Sequence, residues 1–450
     1  MSYSDTSLSA PWSNTEKIAF RFFFIFFILL VVPLDWKFYR DLFSINWLNL
    51  HFYDLLNLTR YSPQFFAEET LPKFGIGSFA NWGIVIIIAA IGTAVWSFVD
   101  KSKTEYTTLY YWLRVALRYR LALGIIAYGF IKLFPLQLPF PSLSNLHTNY
   151  GDFFAWKIYY HTHAIAPKYV SFLGAVEIFA GMLILNRKTT TFGAGLIAGF
   201  TGNVLAANFA YQIGEQVYGA LLVLMAVFLL AYDGPRLFRL LFLEKRTIAN
   251  KFIPDFSEKW LSSLRLGLKV VAFTFVILFG YQSYAGYKGQ NYLIPKTPGL
   301  AGSYGYYNVR EFKLNNQIIP YSLTDKNRWQ NVIFEKWSTL SIKVARPIKL
   351  DMTNGEGVHE DDLDRNFELA GVGGRHYFYY HADTLAHTLS LQNKNLNHRN
   401  EKLLLTYSFP TDSTILLAGI NENRDSIHVV LDKVNKKYMM LEGRRKPVKL

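Results

Sequence analysis

The segment SFLGAVEIFAGMLILNRKTTTFGAGLIAGFTGNVLAANFAY (residues 171–211) holds two apolar runs that are joined by a basic turn at Arg187 and Lys188. Each run has about the 20 residues that an α-helix needs to cross the hydrocarbon core of a bilayer. Glu177 lies in the first run, and Asn203 and Asn208 lie in the second. We therefore predict two membrane-spanning helices that carry polar groups inside the bilayer, where such groups are costly and are often functional.

The composition of the whole chain extends this prediction. Of the 450 residues, 51% are hydrophobic and 18% are charged, whereas a soluble domain has about 25% charged residues. The apolar run nearest the start of the chain, at residues 19–34, lacks a small-residue cleavage site, so we interpret it as a retained span and not as a signal peptide. The apolar runs predict seven spans, at about 18–34, 79–99, 111–134, 168–186, 190–211, 215–233 and 266–284.

The basic residues predict the orientation of these spans. The formal net charge is +14, and most of the surplus flanks apolar runs, which membrane topology explains without a nucleic-acid partner. Basic residues cluster between spans two and three, four and five, and six and seven, and the positive-inside rule places these segments in the cytoplasm. We predict a multi-pass protein of the cytoplasmic (inner) membrane, with a cytoplasmic N-terminus and residues 290–450 in the periplasm.

The C-terminal third has a different pattern. Short runs such as YYNVREFKL and SIHVVLDKV alternate in polarity and are separated by turn residues. This pattern predicts eight to ten antiparallel strands, in a lipocalin-like barrel or a sandwich. The alternation sends His376 and His381 to opposite faces, which argues against a shared metal. Since the chain has no cysteine, cysteine-ligated metal centres and disulfides are excluded.

Polar residues of three spans define a candidate intramembrane site. At 100° per residue, Arg118, Tyr128 and Lys132 lie on one stripe of the third span. Glu177 shares a face of the fourth span with small residues, so we expect it to point into the bundle. On a helical wheel of the fifth span, Asn203 likewise shares a face with a stripe of small residues. An arginine below Glu177 or Lys132 above it would pair with the carboxylate. We predict no metal site, and we interpret His161 and His163 as interface histidines.

The same segments resemble the DoxX family of four-helix membrane proteins. The stretch LALGIIAYGFIKLFP contains a G-x-x-K motif, here Gly129 to Lys132, and FLGAVEIFAG contains a G-x-x-E-I-x-x-G motif, here Gly174 to Gly181. The resemblance covers about residues 110–242. It implies a four-helix core and a relation to subunits of a thiosulfate:quinone oxidoreductase. This chain departs from the family pattern, because it adds two N-terminal spans, a seventh span and the β domain.

Four regions and two functions are expected on these grounds. The regions are an N-terminal two-span part (1–109), the DoxX-like core (110–242), a hinge with the seventh span (243–289) and the β domain (290–450). The first function is membrane redox chemistry, with Glu177 as the catalytic group and with a quinone-like ligand held by Arg118, Tyr128, Lys132, Asn203 and Asn208. In the alternative, a non-catalytic membrane anchor presents the β domain to a lipid or a protein partner of the cell envelope, and Glu177 forms a structural ion pair.

Overall fold

The computed structural model describes residues 12–66, 70–72, 74–248, 252, 254, 259–289 and 291–445. They form two compact units. The described residues of Met1–Phe134 and Val170–Gly286 make a helical unit, and those of Pro135–Tyr169 and Tyr287–Leu450 make a barrel unit. The chain therefore passes from the helical unit to the barrel unit, back again, and once more to the barrel unit.

The described helices are α1 (Asn14–Val31), α2 (Trp36–Ser44), α3 (Phe52–Thr59), α4 (Ala80–Val99), α5 (Thr107–Leu133), α6 (Leu143–Leu146), α7 (Ala155–Ala164), α8 (Pro167–Leu185), α9 (Thr190–Tyr211), α10 (Gln216–Ala231), α11 (Gly234–Leu241), α12 (Lys259–Lys288) and α13 (Met439–Glu442). The start of α1 shows how the sequence determines a boundary. The Ser13 hydroxyl accepts a hydrogen bond from the Glu16 amide, and the Glu16 carboxylate accepts one from the Ser13 amide. These two bonds satisfy amides that the first helical turn would leave unpaired.

Several helices are long and apolar enough to cross a membrane, which indicates a multi-pass membrane protein. Within the described residues, five segments meet this condition, namely Asn14–Ser44, Ile76–Val99, Pro167–Leu185, Thr190–Tyr211 and Lys259–Lys288. Helices α10 and α11 meet it together, although they are bent by 69° relative to each other, and would make a sixth span.

Helix α5 differs from these segments because it is long but less apolar. Its 27 residues include Arg114, Arg118, Arg120 and Lys132. The helix also has many buried residues, such as Leu117, and it contacts α1, α3 and α10. The third span, which the sequence predicts at the position of α5, stays a prediction.

The barrel unit contains a closed antiparallel β-barrel of eight strands. The strands of the unit are β1 (Gly305–Leu314), β2 (Gln317–Ile318), β3 (Asn331–Phe334), β4 (Thr339–Lys343), β5 (Arg375–Asp383), β6 (Thr388–Asn393), β7 (Lys402–Thr411), β8 (Thr414–Asn421) and β9 (Ser426–Lys433). The two-residue strand β2 pairs with β1 beside the barrel, and the other eight strands form the closed ring. The order is β2-β1-β3-β4-β5-β6-β7-β8-β9, and β1 also pairs with β9, from Tyr307 opposite Lys433 to Leu314 opposite Ile427. This closure decides between the two predicted architectures in favour of a barrel.

Side chains fill most of the barrel lumen. One buried apolar cluster draws on β1 and on all strands from β3 to β9, with Phe334, Leu405 and Leu417 among its fully buried members. The cavity that is lined by His376 and Glu401, together with residues of several strands, has a volume of only about 110 Å³. The lumen resembles a packed core more than the ligand chamber of a larger barrel.

The segment between α5 and α8 is an integral part of the barrel unit. The amide of Phe154 donates to the carbonyl of Gly371 at 2.8 Å, and the amide of Gly373 donates to the carbonyl of Asp152 at 2.7 Å. Phe153 and Val372 form an antiparallel bridge. A stretch of chain that separates two long helices in sequence is thus built into the barrel unit.

Candidate functional site

Glu177 and Lys132 form an ion pair where α5 and α8 cross. The Lys132 Nζ lies 2.6 Å from the Glu177 Oε1, and the side chains are 14% and 3% exposed. The other carboxylate oxygen, Oε2, is buried and has no hydrogen-bond partner among the described residues. Of the two partners that the sequence allows for Glu177, the structure selects Lys132.

Glycines on both helices make this contact close. A Cβ atom on Gly174 would lie 2.4 Å from the carbonyl oxygen of Gly129 and 2.4 Å from the amide nitrogen of Leu133. Both neighbours are backbone atoms, so no side-chain rotation could relieve the overlap. The small residues of the G-x-x-K and G-x-x-E-I-x-x-G motifs therefore let the two backbones touch, and this contact places Lys132 opposite Glu177.

Tyr128 contacts the pair from one side and a second ion pair from the other. Its ring centroid lies 6.0 Å from the Lys132 Nζ, and its hydroxyl donates to the Glu215 Oε2 at 2.9 Å. Glu215 also pairs with Arg60. Neither Glu215 nor Arg60 was among the predicted site residues. Arg60 lies between two predicted spans, Glu215 is the first residue of another, and neither belongs to a motif that would single it out.

The remaining predicted residues do not converge on Glu177. Arg118 donates to the carbonyl oxygens of Ile184 and Leu185, at 3.0 and 2.7 Å. Ile184 lies two turns from Glu177, or about 10 Å along the helix axis. Asn208 donates to the carbonyl of Val204 at 2.9 Å and accepts from the amide of Glu215 at 3.2 Å.

Asn203 lies on an exposed face of α9. A Cβ atom added to Gly195 or Gly199 would meet no atom within 4 Å, so this stripe of small residues packs against nothing in the described part of the chain. The structure thus brings together Glu177, Lys132 and Tyr128. Asn208 borders this group through the backbone of Glu215, and Arg118 and Asn203 lie elsewhere.

A second group of buried charges lies in the barrel unit. The Lys394 Nζ donates to the Glu368 Oε1 at 2.6 Å, and the two side chains are 0% and 2% exposed. The other Glu368 oxygen accepts from the indole of Trp337 at 2.8 Å. Nearby, Glu335 accepts from the amides of Leu143 and Ser144 at 3.1 and 2.7 Å. The Glu335 carboxylate therefore joins the barrel to the segment that contains α6.

Burial changes the ionisation of these groups. Burial, together with the neighbouring charge of Glu368, raises the pKa of Glu335 to about 7, although the hydrogen bonds from Ser144 and Leu143 act in the opposite direction. Burial also lowers the pKa of Lys157 to about 7. The Lys157 ammonium donates to the carbonyl of Phe367 and lies 3.7 Å from the centroid of the Phe367 ring.

The pKa of Glu335 predicts a pH dependence of stability. Since its pKa is raised above the ordinary 4.5 to about 7, the folded state holds this proton more tightly than the unfolded state does. The free energy of unfolding should therefore decrease as the pH rises from about 4.5 to about 7. Lys157, whose pKa is lowered, acts in the opposite sense and only above about pH 7.

Thermal melting of the full chain in detergent, followed by the circular dichroism of the strands, measures this effect. In Glu335→Gln, we expect the stability to fall less steeply as the pH rises to about 7. The control Glu360→Gln, at an exposed position, should show the same pH dependence as the wild type. An unaltered pH profile in Glu335→Gln would contradict the assignment.

A cavity of about 800 Å³ lies beside Glu335, within the barrel unit. Its wall includes apolar side chains on both segments of the unit, among them Phe140, Leu143, Tyr304 and Trp337. Lys168, Lys336 and Arg444 also line it. The size falls in the range of about 300–1,000 Å³ that is usual for small-molecule sites.

The histidines of the described chain show no arrangement for a metal. His376 is buried and lies 2.9 Å from the Glu401 Oε2, whereas His381 is exposed. His161 packs edge-on against Phe153, and the Nδ1 of His163 lies 2.9 Å from the carbonyl of Tyr159. Within the described residues, no group of three or more histidine, aspartate or glutamate side chains could hold a metal ion.

Comparisons with known proteins give one similarity. No family model matches the chain, and no solved structure matches it. Over 83 residues it is 30% identical to the uncharacterized protein YwoB of Bacillus subtilis (strain 168). The match covers 18% of this chain and 51% of YwoB, so the chain spans about half the length of that relative. The similarity to the DoxX family stays a prediction.

Proposed function

We propose that this chain is a membrane-anchored binding protein of the cell envelope, and that its barrel unit binds an amphipathic ligand with an acidic headgroup. The cavity beside Glu335 is the observation that carries the proposal. Of the two functions expected from the sequence, this is the non-catalytic one. The proposed location of the barrel unit is the outer side of the cytoplasmic membrane, as the distribution of basic residues predicts.

The apolar wall of the cavity accounts for the lipophilic part of the ligand. Phe140 is 36% exposed and Tyr169 is 52% exposed. Large aromatic side chains left uncovered in this way offer a surface that a ligand can bury. Together with Trp337 they offer apolar area that an acyl chain or a ring system would cover. Removing such area from water contributes about 25 cal/mol per Å².

The basic groups account for the acidic headgroup. Lys168 and Lys336 are exposed, and Arg444 is held in place by bonds to the carbonyls of Met440 and Ile165. Three cations that line one cavity attract an anion, and Glu335 does not oppose this attraction while it holds the proton that burial favours. A carboxylate or a phosphate would satisfy the three groups.

The position of the cavity in the chain connects it with the membrane. Pro167, Lys168 and Tyr169 line the cavity, and they are also the first residues of α8, which is long and apolar enough to be a span. The chain that lines the cavity therefore continues directly into a helix of this kind. Lysine and tyrosine are typical of such interfacial positions.

Binding of a fluorescent fatty acid and of its methyl ester, measured with the full chain in nanodiscs, tests the proposal. We expect the acid to bind about tenfold more tightly than the ester, because two ion pairs at a cavity rim contribute about 0.5–1 kcal/mol each. The double variant Lys168→Gln/Lys336→Gln should remove this preference and leave binding of the ester unchanged.

The matched control is Lys349→Gln/Lys402→Gln, which removes two exposed lysines of the same unit that do not line the cavity. Its preference for the acid should equal that of the wild type. Equal binding of acid and ester by the wild type would contradict the proposal, and so would an equal loss of preference in both double variants.

The redox function remains a second candidate because of one observation. The Glu177 Oε2 is buried without a hydrogen-bond partner in the described part of the chain, and a buried carboxylate oxygen in this state is costly. A ligand with a hydroxyl group, such as a quinol, would donate to it. Loss of a bound quinol in a Glu177→Gln variant would support this candidate, and the Lys168→Gln/Lys336→Gln variant should then retain the quinol.

A further inference from the structure

A strongly basic cleft lies in the helical unit. Two adjoining cavities, of about 690 and about 540 Å³, share the lining residues Tyr111, Val115, Arg118, Arg187 and Lys188. Arg265 and Lys269 of α12 line the first cavity, and Arg114 and Arg236 line the second. We call the two cavities together the basic cleft. It brings residues of α5, α11, α12 and the turn after α8 into one site.

The charge of the basic cleft is almost entirely positive. Among the described residues that line it, Asp233 is the acidic one, and this carboxylate accepts a hydrogen bond from the Thr191 hydroxyl. Cations gathered around one cavity repel each other, and the repulsion is stronger beside a low-dielectric bilayer than in water. An anion in the cleft would relieve it.

Two guanidinium groups are already held in position. Arg118 is 8% exposed, and its Nε and Nη2 donate to carbonyl oxygens at the end of α8. The guanidinium carbon of Arg114 lies 3.2 Å from the centroid of the Tyr232 ring, and its Nε is buried without a hydrogen-bond partner among the residues described. Groups fixed in this way lose little entropy when they bind a ligand. Arginine also matches the geometry of phosphate oxygens.

The walls of the cleft indicate what carries the anion. Val115, Met182 and Leu268 line the first cavity beside the charges, and Met182 is 45% exposed. Since these side chains lie on helices that include two of the apolar spans, an acyl chain could continue from the cleft along them. A topological role explains basic residues near a membrane surface, but it does not require a cavity between them.

We propose that the basic cleft binds a phosphate group, carried by an anionic phospholipid. This site is separate from the cavity of the barrel unit, and it stands whether or not that cavity binds a fatty acid. The shared chemistry is a phosphate group. A soluble phosphate compound is the other source of the same group, and the experiment distinguishes the two.

Native mass spectrometry of the full chain from nanodiscs tests the proposal, with phosphatidylglycerol and phosphatidylcholine as lipid probes and with pyrophosphate as the soluble probe. The wild type should retain phosphatidylglycerol in preference to phosphatidylcholine. The double variant Arg187→Gln/Lys188→Gln should reduce this preference about tenfold or more, because each basic group beside an anionic headgroup contributes a factor of about five. Arg265→Gln/Lys269→Gln, on a different helix, should have the same effect.

The control variant is Lys245→Gln/Arg246→Gln, which removes two exposed charges of the helical unit that do not line the cleft. It should retain phosphatidylglycerol as the wild type does. If pyrophosphate displaces phosphatidylglycerol from the wild type, and if this displacement is lost in the cleft variants, the cleft is a phosphate site. A soluble phosphate compound is then the source of the phosphate group. The proposal is overturned if the wild type shows no preference for phosphatidylglycerol and no binding of pyrophosphate, or if the control loses as much as the cleft variants do.

Discussion

Replacing Gly174 by alanine is expected to prevent stable assembly of the helical unit. The new Cβ atom would lie 2.4 Å from the carbonyl oxygen of Gly129 and 2.4 Å from the amide nitrogen of Leu133. Overpacking against flexible side chains costs about 1–3 kcal/mol. Here both neighbours are backbone atoms, so α5 and α8 must separate and the Lys132–Glu177 pair must break. We therefore expect a loss of about 3 kcal/mol or more.

Titration of the full chain with a denaturing detergent, followed by helical circular dichroism, measures the change. Gly199→Ala is a matched control, because it makes the same substitution in another apolar helix where a Cβ atom would meet nothing of the described chain within 4 Å. It should be neutral or stabilise the helix by up to about 1 kcal/mol. If the two variants unfold alike, α5 and α8 do not touch at Gly174.

Removing one member of the buried Lys394–Glu368 pair in the barrel unit should also cause a large loss of stability. Lys394→Met leaves the Glu368 carboxylate buried without its cation, and Glu368→Gln leaves the Lys394 ammonium buried without its anion. Both side chains are at most 2% exposed. Breaking a buried pair on one side costs about 3–5 kcal/mol, so each single variant should lose a large part of the stability of the unit.

The double variant Glu368→Gln/Lys394→Met should recover most of this loss. It removes both charges of the pair, and the amide oxygen of the introduced glutamine can still accept a hydrogen bond from the Trp337 indole or from the Thr339 hydroxyl, as Glu368 does. Thermal melting of the strands in the full chain gives the coupling energy of the pair. Losses that simply add in the double variant would show that the two groups are not paired.

The division of the chain into two kinds of structure could be predicted from its composition. Long apolar runs end near residue 285, and period-two alternation follows. The strands themselves were predictable because alternate residues of each one face the lumen, as the buried Phe312 and Leu405 do. Closure was not predictable, because it depends on the pairing of β1 with β9, which are more than one hundred residues apart in the chain.

The membership of residues 135–169 in the barrel unit also left no signal in the sequence. Its contacts are long-range, such as the bond from the Ser144 amide to Glu335 across 191 positions. Hydropathy shows that this segment lies between two apolar runs, and it shows nothing of what the segment packs against. The buried charged residues Lys157 and Glu335 were therefore missing from the predicted site.

The candidate intramembrane site was predictable only where two helices touch. The spacing of small residues around Glu177 indicated a packed face, and Lys132 lies against it. The same reasoning grouped Asn203 with Glu177 from its position on a helical wheel. A wheel gives the angle of a residue on its own helix but not the element opposite, and in the described chain Asn203 is exposed.

Identification of the small molecules that co-purify with the full chain in mild detergent tests the central claim most directly. We predict that an amphiphile with an acidic headgroup is enriched over the bulk lipid. The Lys168→Gln/Lys336→Gln variant should lose it, and the Arg187→Gln/Lys188→Gln variant should retain it. An enriched molecule that is neutral, such as a quinone, and whose retention depends on Glu177 and not on the two lysines, would contradict the account.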